Sequence, residues 1–219
     1  MKATLLFFFS IFLCLPIDRA VKDRVIILNV GQGSWALYIS TAFCLHFDMG
    51  GESYPRSDWL QDCRKKKNIL FLSHSDTDHL NFFSRYLRYS RKFCADSSVN
   101  ALLKDESTLR LQPRQQAALA RRHVLLKKLP TCHRAWRVVE SLYKRNPPHN
   151  RMPLKSANDR SSIYLLKNQF LFTGDSTSAQ EAIWAPAVRH WKHLRVYVLG
   201  HHGSRTSTSD QIVSRLRSR

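Results

Sequence analysis

Short apolar runs broken by glycine-containing turns fill the chain from Val21 to Ser73. "RVIILNV", "SWALYIS" and "FCLHFD" are rich in β-branched and aromatic residues, with "GQGS" and "MGGES" between and after them. Such runs predict strands joined by tight turns. "NILFLS" predicts a further buried strand. From Leu80 to Arg145 glycine is absent, and Arg, Lys, Leu and Ala dominate. Within that stretch "QPRQQAALARRHVLLKKLP" has helical spacing and a basic face, so helices are expected there. "KRNPPHNRMP" reads as a loop, "SSIYLLKNQFLFTGD" as a hairpin turning at Lys167-Asn168, and "RVYVLG" as another strand. Strands at both ends of the chain, with helices between and after them, predict an α/β fold of two sheets covered by helices. No internal repeat interrupts this pattern.

The first twenty residues have a different texture. Lys2 is followed by an apolar run from Ala3 to Leu15 and then by Pro16. The run is short for a bilayer span and reads as the core of a secretory signal ending at Ala20. The expected organisation is a signal peptide over 1–20 and one domain over 21–219. The expected location is secreted or periplasmic, or membrane-anchored if the segment is retained. The 219 residues carry a formal net charge of +19, with 43% hydrophobic content. That content suffices for a core, so the charge does not mean disorder. It points to a polyanionic partner, of which nucleic acid is the commonest. Cys44, Cys63, Cys94 and Cys132 contain no C-x-x-C pair, which argues against a zinc ribbon. In an exported chain they can form two disulfides in any of three pairings, or stay as buried thiols.

Three strand ends carry the candidate chemistry. His74, Asp76, Asp78 and His79 form H-x-D-x-D-H directly after "NILFLS". Imidazole nitrogens and carboxylate oxygens are ligands for zinc, manganese or iron, and four within six positions can serve two ions. Asp175 ends "FLFTGD", and a carboxylate can bridge two cations. His201 and His202 end "RVYVLG" and are followed by Gly203 and Ser204. If the three ends meet at one sheet edge, they form a two-metal site with ions about 3.5–4 Å apart.

With these pieces assembled, the chain resembles the metallo-β-lactamase superfamily. Within it the chain resembles the hydrolase domain of the ComEC DNA-uptake channel proteins and their free-standing relatives. The matching segments are "ILNVGQGSWALYI", "FDMGG", "LSHSDTDH", "NDRSSIYLL", "FLFTGDSTSAQE" and "VLGHHGSRTSTS". The resemblance implies an αββα sandwich with a binuclear site at one edge. It implies that His74 and Asp76 hold one metal and Asp78 and His79 the other. Asp175 would bridge, and one of His201 and His202 would complete the second site. It makes Asp48, Gly31 and Gly33 structural or supporting. Asn158, Ser161, Ser204 and Arg205 would contact substrate or the edge of the site. Asp76 stands where the superfamily usually has histidine, which makes manganese more competitive with zinc. His149 in "NPPHN" is the candidate third ligand of the first metal. Relatives continue beyond the HHGS segment, so the resemblance implies a version shortened at its C-terminus.

The function this reading implies is a metal-dependent hydrolase, most simply a nuclease acting on DNA through hydroxide activated by two zinc or manganese ions. Asp78, His201 and His202 are its candidate catalytic residues. Competing readings are a hydrolase of the same fold acting on a β-lactam, thioester or small phosphodiester, and a non-catalytic DNA-binding module. The charge excess argues against a small neutral substrate.

Overall fold

Alternation within the strands decides which side chain faces which layer. The computed structural model describes residues 23–90, 92–106, 113–132, 139–142 and 158–217. The expected signal segment and the loop containing His149 lie outside the described residues. The first sheet contains β1 (Arg24–Ile27), β2 (Ala36–Ile39), β3 (Phe43–Phe47), β4 (Lys67–Phe71) and β5 (Phe93–Ala95), side by side in that order. β1 to β3 pair antiparallel, and β3 to β5 pair parallel. The second sheet contains β6 (Val139–Ser141), β7 (Tyr164–Leu166), β8 (Phe170–Phe172) and β9 (Val196–Val198), with β8 and β9 parallel. The protein is thus a mixed α/β fold with two sheets and helices, as the sequence pattern predicts.

Residues two apart on a strand point to the same face, and the buried clusters divide along that rule. Ala36, Tyr38, Leu45, Phe47, Ile69 and Phe71 from the first sheet share a cluster with Tyr164, Leu166 and Phe172 from the second. Phe47 and Phe172 stack across it with centroids 4.0 Å apart. The alternate residues Leu37, Ile39, Cys44 and Leu70 pack instead with helical residues. Those partners come from α1 (Asp58–Arg64), α3 (Phe83–Leu87), α4 (Ser97–Glu106) and α5 (Pro113–Lys127). Leu165 and Leu171, on the other face of the second sheet, pack with Trp184 of α6 (Ser178–Trp184) and Ile212 of α7 (Asp210–Arg217). Burying a Leu or Phe side chain contributes about 1.5–3 kcal/mol, so these clusters hold the strand ends in place.

Several turns take the conformation their residues favour. Lys167 and Asn168 both have positive φ, 51° and 57°, as a two-residue hairpin of matching twist requires. The stretch expected to be wholly helical also contains β5 and β6. Each is three residues long, too short for alternation to announce it. β5 forms because its backbone completes the parallel ladder beside β4. Cys44 bonds to Cys63 and Cys94 to Cys132, which selects one of the three pairings. Among the described residues no helix is long and apolar enough to cross a membrane.

A polar network sits inside the helix-covered face of the first sheet. Trp35 donates Nε1–H to His46 Nδ1 at 3.2 Å, and His46 Nε2 lies 2.7 Å from Asn68 Oδ1. Asn68 also donates to Cys63 O, Lys66 O and Ser90 Oγ. His46 is therefore neutral, with Nε2–H the donor to Asn68. Complete burial lowers its pKa to about 4, with the Asn68 bond opposing the shift. A depressed histidine pKa favours the native state above the unfolded value, and that advantage is lost as pH falls through the native one. Between pH 7 and pH 4 the chain should lose about 3 kcal/mol through this residue. Urea unfolding at the two pH values should show a smaller difference for His46→Gln than for the parent. Equal differences would remove His46 as the cause.

Candidate metal centre

The loop that follows β3 starts from an aspartate in a conformation few residues adopt. Asp48 has φ 57°, a left-handed backbone that Asp tolerates better than most side chains. It ends β3, and its N–H donates to Phe71 O at 2.9 Å. Its carboxylate is buried and accepts from Ser73 N at 2.7 Å and from Ser73 Oγ at 2.9 Å. The same carboxylate accepts from His79 Nδ1 at 2.9 Å. Ser73 Oγ in turn lies 3.0 Å from His74 Nδ1. Since the Ser73 hydroxyl donates to Asp48, it accepts from His74 Nδ1–H. Both imidazoles are thus fixed as Nδ1–H tautomers, and both Nε2 lone pairs point the other way.

Close backbone packing sets the loop's position. His79 lies on α2 (Thr77–Leu80), and Asp76 is its N-cap but makes no capping hydrogen bond, which leaves the carboxylate available. Ser34 N donates to Asp78 O at 3.1 Å, and Met49 N to His79 O at 2.7 Å. A Cβ on Gly33, at φ 146°, would lie 2.2 Å from Gly51 Cα and 2.7 Å from Asp78 O. Gly31, at φ 72°, packs against Glu52. The two glycines of "GQG" therefore let the turn pack closely against Gly51, Glu52 and the Asp78 carbonyl.

The second sheet supplies the remaining groups. Gly174, at φ 51°, has no room for a side chain, since its Cβ would lie 2.4 Å from Ser73 Cβ. That contact sets Asp175 beside the histidines. Ser161 is fully buried, and its Oγ accepts from Asp175 N at 3.1 Å. It fixes the backbone of Asp175 at the edge of the site. His201 and His202 both have positive φ, 44° and 52°, a strained pair of non-glycine residues of the kind that clusters at functional sites. His201 N donates to Gly174 O at 3.0 Å, tying this turn to Asp175. The twist sends the two rings apart. His202 Nε2 reaches Asp78 Oδ2 at 3.0 Å, whereas His201 Nδ1 bonds Thr206 Oγ1 at 2.7 Å.

The result is two groups sharing one carboxylate. Asp175 Oδ1 lies 3.0 Å from His79 Nε2 and 3.6 Å from His202 Nε2. With Asp78 these form four ligand-type residues whose donor atoms lie within 4.8 Å of one another, a group that could hold a metal ion. Asp175 Oδ2 lies 3.8 Å from His74 Nε2, which is 3.6 Å from Asp76 Oδ2. His74 Nε2, His79 Nε2 and Asp175 Oδ1 are buried and make no aligned hydrogen bond. Buried polar atoms facing one another without hydrogen bonding fit cation ligation, and nitrogen with carboxylate oxygen suits zinc or manganese. His74 and His79 form a buried floor, while the Asp76 and Asp78 side chains are 44% and 38% exposed. Ligands therefore approach from the carboxylate side.

The electrostatics agree with a site built for positive charge. Burial alone would depress His79, but the Asp48 and Asp175 carboxylates outweigh it and raise the pKa to about 10, so a cation bound at Nε2 would take the place of a proton there. Burial lowers His74, reinforced by neighbouring His79. The bond to His202 holds Asp78 well below the usual carboxylate range, and the same bond raises His202.

Other expected site residues lie at the margin. Asn158 opens a single helical turn, Asn158–Arg160, that leads into Ser161. Ser204 Oγ lies 3.1 Å from Thr206 Oγ1, bracing the turn, and Arg205 is exposed beside it. The sequence reading missed Ser73, which links Asp48 to His74 by hydrogen bonds. Its place directly before the first histidine was the available signal.

Asp48→Asn keeps an acceptor for Ser73 N but removes the charge behind His79. Zinc affinity, measured by competition with a chelating dye, should fall about 10–100-fold. Unchanged affinity would mean that Asp48 does not tune the site.

No family model matches the chain. Over 200 residues it is 27% identical to a protein named Recombination protein 2 from Haemophilus influenzae, a match covering 87% of this chain and 22% of that protein. The chain thus spans about a fifth of the length of the relative it matches.

Proposed function

We propose that the protein is a metal-dependent phosphodiesterase acting on DNA, built as an αββα sandwich of the metallo-β-lactamase type. The observation that carries this reading is the position of Asp175, with Oδ1 facing His79 and His202 and Oδ2 facing His74. One carboxylate between two sets of ligand-type atoms is the geometry of a two-cation hydrolase. The clusters on both faces of each sheet support the layered fold. The name of the matching protein, which refers to recombination, supports a nucleic-acid substrate. Two disulfides support residence in an oxidising compartment, in line with the secretory signal read from the first twenty residues.

His74 and Asp76 would hold one cation, Asp78, His79 and His202 the other, and Asp175 both. When bound, such a pair supplies Lewis acidity toward a phosphoryl oxygen and lowers the pKa of a water. The chain's own groups supply the rest. Asp48 and Ser73 keep His74 and His79 in one tautomer. Asp78, at the exposed rim, can accept a hydrogen bond that orients the attacking water. His202, whose side chain is 21% exposed, stands where substrate enters.

The positive charge is arranged to hold a polyanion near this rim. Arg114, Arg121 and Lys127 are exposed on α5. Arg121 reaches a cavity of about 270 Å³ whose lining includes Thr77 of the metal loop and Asn81 beyond it. A strand bound there gains affinity by counterion release.

Manganese- or zinc-loaded protein should cleave labelled single-stranded DNA. Asp175→Ala and Asp78→Ala should each lower the rate at least 100-fold, consistent with loss of electrostatic stabilisation at the reacting centre. Cleavage that survives both changes would reject the assigned site. DNA binding that chelators leave unchanged, without cleavage, would favour the non-catalytic binding reading.

A further inference from the structure

A second arginine-rich cleft lies apart from the metal ligands. It has a volume of about 440 Å³ and is lined by Tyr54, Arg56, Arg64 and Arg85, with Asp58 as the single lining carboxylate. Tyr54 is held edge-on by Trp35 and Phe82, with ring centroids 5.7 and 5.3 Å away. Its face carries the Arg85 guanidinium at 4.0 Å. Arg64 lies over Tyr89 at 4.5 Å, so both guanidinium planes are set by aromatic contact before any ligand arrives. Tyr54 Oη and Arg64 Nε are shielded from solvent. Burial raises the Tyr54 pKa, against the pull of Arg64 and Arg85. The cleft therefore offers fixed donors and three positive charges against one negative.

We propose that this cleft seats a backbone phosphate of a single nucleic-acid strand, with Arg64 and Arg85 as its principal contacts and the Tyr54 ring as the support that holds Arg85 in place. Planar guanidinium groups suit a phosphate with several acceptor oxygens, and their stacking lowers the entropy lost on binding. The cleft is joined to the metal centre by two short pieces of chain. The loop that begins at Asp48 carries Tyr54 and Arg56, and α2, which bears His79, is followed after Asn81 and Phe82 by α3, which bears Arg85. Asn81 fastens the two pieces together through Gly51 N and Gly51 O, at 3.0 and 2.6 Å. A strand entering the metal centre can then be gripped at a second phosphate. This rests on the proposed nucleic-acid substrate, though not on its cleavage.

The test is a binding titration of the full chain with a short fluorescent oligothymidylate, in chelator, across a range of salt. Arg64→Gln and Arg85→Gln should each weaken binding on the order of tenfold and lower the salt slope by about one. Arg189→Gln, an exposed change of equal charge, should stay within about twofold of the parent. Circular dichroism checks folding, and exposed Arg85 serves if Arg64→Gln misfolds. Variants that bind like the parent, or Arg189→Gln losing as much as the others, would overturn the site in favour of diffuse attraction. Calorimetry with inorganic phosphate separates the sources. Arg64-dependent heat from phosphate, with oligonucleotide binding unaffected by Arg64→Gln, would replace the strand with a small anion. An inactive protein that still shows arginine-dependent binding would reject cleavage and keep this cleft. An active one without it would do the reverse.

Discussion

One buried carboxylate organises the candidate centre. Asp48 accepts from the Ser73 amide and hydroxyl and from His79 Nδ1, and through Ser73 it also governs His74. The consequence is chemical as well as geometric. With both Nδ1 atoms committed, the Nε2 lone pairs of two buried imidazoles have no choice of direction. They face Asp175, whose backbone N–H is itself fixed by Ser161. A histidine free to flip would present carbon or nitrogen to a cation at random. Here the ring orientations are set by hydrogen bonds to Asp48 and Ser73.

That arrangement requires two sheets to end in register at one rim, and the backbone is strained and pared to allow it. Gly33 and Gly174 sit where a Cβ would collide with neighbouring chain. His201 and His202 accept left-handed backbones, and the turn they form sends one ring to Thr206 and the other to Asp78. The aromatic contacts between Phe47, Phe71, Tyr164 and Phe172 keep the sheets from sliding. Packing of that kind fixes the positions of the ligand-type atoms, and fixed positions lower the cost of binding.

Much of this was legible in the chain, and the unread parts have physical reasons. Strands such as "ALYI" and "NILFL", and the hairpin at Lys167-Asn168, announce themselves by alternation and turn chemistry. The ligand-type residues stood out because His and Asp gathered at the ends of apolar runs. β5 and β6 did not, because three residues carry no period and their pairing is set by neighbours distant in sequence. The pairing of the cysteines and the choice between His201 and His202 depend on tertiary placement, which spacing does not encode. The burial of Ser161 and its bond to the Asp175 amide were not legible, because a buried hydroxyl and an exposed one read alike in sequence. The arginine cleft escaped for the same reason. Arg56, Arg64 and Arg85 lie in different elements, and only the fold brings them around Tyr54.

The central claim is that the carboxylate of Asp175 stands between two cations. X-ray absorption on zinc-reconstituted protein measures this directly, through the ligand shell and the metal–metal scattering. The account predicts two zinc ions per chain, nitrogen and oxygen ligands only, and a metal–metal vector of about 3.5–4 Å. A single zinc without a metal neighbour, or a shell containing sulfur, would contradict it.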